Sequence, residues 1–417
     1  MNNIVSSIRK TNSTIKFLFL AILLVRIVLI LQPSFKIDMG DWQAWTGRLL
    51  EVGPLNFYTP NFFADYFPFF YLLLWGFGKI FAIAFGNSAV FSSIFEVYIK
   101  LISNIFDFAT AYFIFLIIKK HSSKWAVWAS YLYLINPSII FNTSVWGQID
   151  SIPTFLFIYS LYFLEEKKNL GKWTILSVFS FLIKPLNVSS YPLLLIRIIK
   201  DYSVKKIVLA LLFSTGVFLA IVAPFFPKDP IFGAISHFLS SLNTYPYTSL
   251  NAYNFWGIFG FWKPDNGLFL GVQFRVIGYA LFLTALLMII FPYVKNFKNN
   301  LDVKLDYFAL ALCAFAFFLF LTRIHERHLF PLFALLVVSA AVYKSKTLFI
   351  VYGLLAVVNF INLYYSYYYY NVVYGNPLAQ TNIIFTISSN FPTIFSVFSV
   401  FLFGVMLVIY YEKSLNK

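Results

Sequence analysis

A chain of 417 residues that is 60% hydrophobic and only 11% charged is no ordinary soluble protein, since charged residues make up about a quarter of those. The net charge of +15 at first points to nucleic acid, but Lys and Arg sit in short connectors between apolar runs. With no basic stripe interleaved with stacking aromatics, a nucleic-acid partner is excluded, and the single cysteine, Cys313, excludes an intrachain disulfide.

The first apolar run, about Phe17 to Leu31, follows Arg9, Lys10 and Lys16. No small-residue cleavage site ends it and "LQPSFKIDMGD" reads on, so it is expected to be a retained first span rather than a signal peptide. Later runs such as 208–226 approach the ~20 residues that a helix needs to cross hydrocarbon. The basic connectors 119–124, 165–172, 197–206, 295–304 and 343–346 and the tail "EKSLNK" read as cytoplasmic, because short inside loops retain Lys and Arg. The alternation closes at about twelve spans with both termini cytoplasmic. The predicted fold class is therefore an all-α polytopic membrane protein, one integral membrane domain over residues 1–417.

Residues 66–95 are apolar enough to span, but one more span there would invert the charge bias of everything after it. They are expected to lie along the outer surface as interfacial helices, interrupted at Pro68, Gly76, Lys79 and Gly86. The first outside loop is then 33–98, a later one is 226–267, and a further one, 371–390, has no ionisable side chain.

Five stretches carry polar chemistry, and each also has a plain structural explanation. Asp38 and Asp41 lie just past span one, flanked by Trp42 and Trp45. Partly apolar surroundings can leave a carboxylate basic enough to take a proton from a hydroxyl, although a solvated loop explains it as well. Gln148 and Asp150, in "VWGQIDS", fall where one span surfaces and the next begins, a position that also suits a helix cap. Lys184, beside Pro185, sits deep in the outer half of a run, where a freed carbonyl marks a break. Asn251, Asn254 and Trp256, in "LNAYNFW", suit a sugar as well as an interfacial loop. The knot "RIHERH" gathers Arg323, His325, Glu326, Arg327 and His328, costly to leave facing lipid and well suited to phosphate. Arg275 is placed to reach the same cavity. Arg26 and Asp107, near mid-span, are expected to pair.

In order along the chain, "DMGDWQAW", "NPSIIFNTSVWGQIDS", "IKPLNVSSYP", "LNAYNFW" and "TRIHERHLFP" resemble the GT-C membrane glycosyltransferases. The likeness is greatest to prokaryotic proteins related to GPI-anchor mannosyltransferases, and to the dolichyl-phosphate-glucose-dependent glucosyltransferases. The resemblance covers most of the chain and implies a GT-C-like helical bundle. It also implies a catalytic aspartate seven residues before a tryptophan, the position of Asp38 relative to Trp45, with Asp41 the substitute. Asp150 then supports the site, and the "HER" of the knot lies near the donor phosphate. The family's "YPP" is reduced here to Tyr66 and Pro68 of "DYFPFF".

The expected activity is inverting transfer of a hexose, mannose or glucose, from a polyprenyl-phosphate sugar on the extracytoplasmic side. The acceptor is a hydroxyl of a lipid-linked glycan or a protein. Membrane lipids are the other partner, no cofactor is required, and a divalent metal ion is compatible with the scheme. The rival is a flippase or transporter of lipid-linked sugars, which needs the same headgroup contacts but no activated carboxylate.

Overall fold

The computed structural model describes residues 2–295, 303–376 and 378–415, so most of the 295–304 connector and the end of the tail lie outside the described residues. The described residues are built mostly into helices, with only two-residue strands among them. Among the described residues, seven helical segments are long and apolar enough to cross a membrane, which makes this a multi-pass membrane protein.

Helix α1 (Asn2–Ile30) is followed by α2 (Lys36–Val52), α3 (Pro68–Phe85), α4 (Ser93–Lys119), α5 (Ser123–Leu134), α6 (Pro137–Ile140) and α7 (Ser151–Leu161). Then come α8 (Leu170–Ile183), α9 (Tyr191–Asp201), α10 (Val204–Val222), α11 (Pro230–Leu242) and α12 (Phe274–Lys295). The last five are α13 (Val303–Phe320), α14 (Phe330–Tyr343), α15 (Lys346–Tyr368), α16 (Ile383–Asn390) and α17 (Pro392–Leu415). Several expected spans are divided. Asn136–Pro137 separates α5 from α6, and Lys184–Pro185 ends α8, because a proline removes an intrahelical donor and disfavours helix in the residue before it.

Residues 66–95 depart from expectation within 68–85, which form one continuous helix, α3, long and apolar enough to cross a membrane, with Pro68 in its first turn and Gly86 at its end; neither Gly76 nor Lys79 breaks it. Proline at the first turn loses no hydrogen bond that the helix would make, and Gly86 takes the positive φ of 84° that stops it. Lys79 stays inside the helix with its ammonium 3.7 Å from the Trp75 ring centroid.

The main core surrounds α14, whose residues from Phe330 to Val342 are all buried, against α13, α15, α4 and α5. Such all-round apolarity is the signature of a central helix. A second core joins α2 to α3. The buried face of α2, Met39, Trp42, Thr46 and Leu49, recurs at helical spacing and meets Phe70, Tyr71, Leu74 and Phe81 of α3. Gly78 permits the close approach, for a Cβ there would lie 2.4 Å from the Thr46 methyl.

Arg26 and Asp107 pair as expected, at 2.7 Å. Arg26 also donates to Asn104 at 2.7 Å and to the Leu134 carbonyl at 2.9 Å, while Thr143 donates to Asp107 at 2.7 Å. This network locks α1 and α4 to the segment that leads into "WGQID".

Candidate active site

The polar stretches converge on one cavity of about 300 Å³. The first wall is α2. It starts three residues after Pro33, which places Asp38 in the first turn, where the helix dipole favours a carboxylate. Asp38 Oδ2 accepts from Trp146 Nε1 at 2.7 Å and from Gln148 Nε2. Neither bond lands on Oδ1. Both donors come from a π-helical turn, Phe141–Trp146, and from Gly147 and Gln148 after it. Gly147 has φ 88°, and a Cβ there would lie 2.8 Å from the Met39 methyl. Its carbonyl accepts from Trp42 Nε1 at 3.1 Å, which ties α2 to the turn.

Asp41, one turn on, faces the same space. Burial, then the charges of Asp38 and Asp65, push its carboxyl up to about 7, so near neutral pH it exchanges a proton readily. Asp65, in the segment before α3, is likewise pushed up to about 6, chiefly by burial, with Arg327 pulling the other way.

The opposite wall is cationic. Lys184, where α8 gives way to extended chain at φ −161°, reaches Asp150 at 2.6 Å. Asp150 makes no cap hydrogen bond to α7, so its position at a helix start is not its function. The knot stands on the short strand β2 (Ile324–His325), which pairs in parallel with β1 (Ser249–Leu250). Two asparagines of α15, three residues apart on one face, fasten it: Asn359 donates to the Glu326 carbonyl at 2.8 Å and Asn362 to the Asn251 carbonyl at 2.6 Å. Arg327 Nη1 donates to Glu326 at 3.3 Å and approaches His325 Nδ1 at 3.2 Å. Burial, then the charges of Arg327 and His328, hold His325 well below its usual range, so it enters the site as a neutral imidazole. Arg327 Nε and the Tyr66 hydroxyl are buried with no hydrogen-bond partner among the described residues. Such orphans are rare in proteins and mark where a ligand's acceptors would fit.

Asp38, Asp41, Trp42, Trp45, Tyr66, Lys184, Asn251, Arg323, His325, Glu326, Arg327 and His328 all line the cavity. Gln148 and Asp150 stand behind it, fully buried, orienting Asp38 and Lys184. Three expectations need correction. Asn254 donates to the Phe318 carbonyl at 3.2 Å and Trp256 to the Phe320 carbonyl at 2.8 Å, so both hold the end of α13 rather than the cavity. The cause is the chain reversal at Asn251, whose φ of 63° turns the following residues into the core. Arg275 pairs with Gln273 at 2.7 Å and does not line the cavity.

Arg323 lines the cavity but its guanidinium is engaged: it meets Asp265 at 2.6 Å, the Leu242 carbonyl at 2.7 Å and Asn243 at 2.8 Å. Asp65, Tyr245, Trp262 and Tyr370 also line the cavity, though nothing in the sequence assigns them to the site. Asp65 was findable as an acid one residue before Tyr66; the aromatics were lost among many. Among the described residues, no group of three or more His, Cys, Asp or Glu side chains is placed to hold a metal ion.

The cavity thus gathers a held carboxylate and cations around a space of small-molecule size. No protein-family profile matches the chain, and no curated protein sequence matches it.

Proposed function

We propose that the protein is a GT-C-type membrane glycosyltransferase that moves a hexose, mannose or glucose, from a polyprenyl-phosphate carrier to an acceptor hydroxyl. In this reading about twelve segments cross the bilayer, both termini are cytoplasmic, and the cavity opens to the extracytoplasmic leaflet. α3 lies along that surface, packed against α2. The observation that carries the reading is that Asp38, Lys184 and Arg327 line one cavity, an acid and two cations that the sequence separates widely.

Asp38 Oδ1 takes the proton of the acceptor hydroxyl while Trp146 and Gln148 hold Oδ2. The acceptor oxygen attacks the anomeric carbon from the face opposite the phosphate, the carbon–oxygen bond to phosphate breaks, and configuration inverts. Polyprenyl phosphate leaves with the bonding electron pair. Arg327 and Lys184 meet the charge that grows on it, and the Arg327 Nε–H and Tyr66 hydroxyl supply further donors. Arg323 acts through Asp265, shaping the wall rather than meeting phosphate.

The test is incubation of the purified protein with labelled polyprenyl-phosphate hexoses and candidate glycan acceptors. Glycosyl transfer predicts free polyprenyl phosphate together with an extended product of inverted configuration. Movement of intact donor across liposomes without bond cleavage would instead establish the flippase.

A further inference from the structure

A second cavity, of about 650 Å³, opens between the 58–65 segment and α11, and it meets the first at Asp65 and Ser241, which line both. Its walls are fixed. His237 Nε2 donates to the Tyr66 carbonyl at 2.8 Å, and the Tyr58 hydroxyl donates to the same oxygen at 3.0 Å. The Tyr58 and His237 rings lie 4.3 Å apart. On the other side Arg48 donates to the carbonyls of Phe57 at 2.8 Å and Asn56 at 3.0 Å, and to the Thr59 hydroxyl at 3.1 Å. Its guanidinium also stacks 4.5 Å from the Phe62 ring centroid, so it stands against two lining residues without lining the space itself.

The two cavities differ in chemistry. The first presents Lys184 and Arg327, whereas among the described residues no Lys or Arg lines the second, and Asp65 is the one acid there. A phosphate there would face a carboxylate with no cation among the lining side chains to balance it. What the second cavity does present is hydroxyl and amide groups, on Thr59, Asn61, Ser240, Ser241 and Thr244, beside the rings of Tyr58 and Phe62. That combination suits a neutral molecule rich in hydroxyls with one apolar face, and the volume falls in the range of small-molecule sites.

We propose that this second cavity is the subsite of a neutral sugar acceptor, which presents its hydroxyl to the first cavity past Asp65. The assignment rests on the glycosyl-transfer reading and adds to it the chemical class of the acceptor and its path. Asp65 accepts a hydrogen bond from the incoming sugar and positions it, while proton removal belongs to Asp38.

Photolabelling of the purified full-length protein with a neutral linear hexose trisaccharide bearing a diazirine, mapped by mass spectrometry, tests the subsite without requiring turnover. The label is expected within 58–65 and 237–244, displaced by unlabelled trisaccharide and not by its phosphorylated form. Asn61→Trp and Ser240→Trp, both at exposed positions, should each lower labelling about tenfold while binding of a short-chain polyprenyl phosphate, which reports the intact fold, stays unchanged. Absent labelling, labelling elsewhere, equal labelling of the variants, or better competition by a neutral Ser-rich peptide overturns the proposal. If no donor supports transfer yet the label maps here, the sugar subsite stands and glycosyl transfer falls. If transfer proceeds and both variants keep the parent KM for acceptor, the subsite falls and transfer stands.

Discussion

Asp150, fully buried, receives the ammonium of Lys184 at 2.6 Å, so each side chain satisfies a charge the other could not hold alone at that depth. The pair also aims Lys184 into the cavity, 5.6 Å from the Tyr66 ring centroid. Asp150→Ala strands the lysine and should cost about 3–5 kcal/mol, read as a fall in apparent Tm of the detergent-solubilised protein. Asp150→Leu combined with Lys184→Met should recover most of that stability but not affinity for a polyprenyl phosphate. Donor affinity unchanged in the double variant would show that the lysine serves structure alone.

The two arginines of the knot should separate under substitution. Arg323 is bonded to Asp265, a carbonyl and Asn243, so Arg323→Gln leaves a buried carboxylate unbalanced and should lower Tm. Arg327 also pairs with Glu326 but carries an unpartnered Nε on the cavity wall, so Arg327→Gln should weaken donor binding by one to two orders of magnitude, roughly the 1.5–3 kcal/mol of a charge-assisted hydrogen bond, besides any loss of Tm. Equilibrium binding of a short-chain polyprenyl phosphate, run beside melting curves, distinguishes the two.

Asp41 and Asp65 make stability depend on pH in a definite direction. Their folded-state values, about 7 and about 6, lie above the ~3.9 of an unfolded aspartate, so the fold prefers the protonated form. The contribution is complete below pH ~4 and is lost as pH rises through about 6 and 7. Asp41→Asn and Asp65→Asn should therefore match the parent near pH 4 and melt above it at pH 8. Identical Tm profiles across that range would contradict the assigned burial of these acids.

Much of this was legible because a charge in so apolar a chain has few reasons to be there. Asp38, Lys184 and the knot stood out for that reason, and the Arg26–Asp107 pair could be named from depth alone. The GT-C resemblance added a preference for Asp38 over Asp41; residue chemistry alone left the two level. What stayed hidden was geometry set by distant chain. Asn359 and Asn362 look like ordinary polar interruptions of α15, yet they fasten the knot and its partner loop. Asn254 and Trp256 adjoin Asn251 in the sequence, yet a single positive φ sends them elsewhere. The continuity of α3 past Gly76 and Lys79 followed from packing on α2, which no local pattern encodes.

The proposed transfer turns on which carboxylate accepts the proton. The direct measurement is the rate of polyprenyl phosphate release from a labelled donor, in the presence of acceptor, by Asp38→Asn and Asp41→Asn proteins that bind donor normally. Loss of a general base predicts a fall of about 10²–10⁴-fold for Asp38→Asn and a much smaller change for Asp41→Asn. Full activity in the Asp38 variant would contradict the assignment and, with it, the catalytic reading of the cavity.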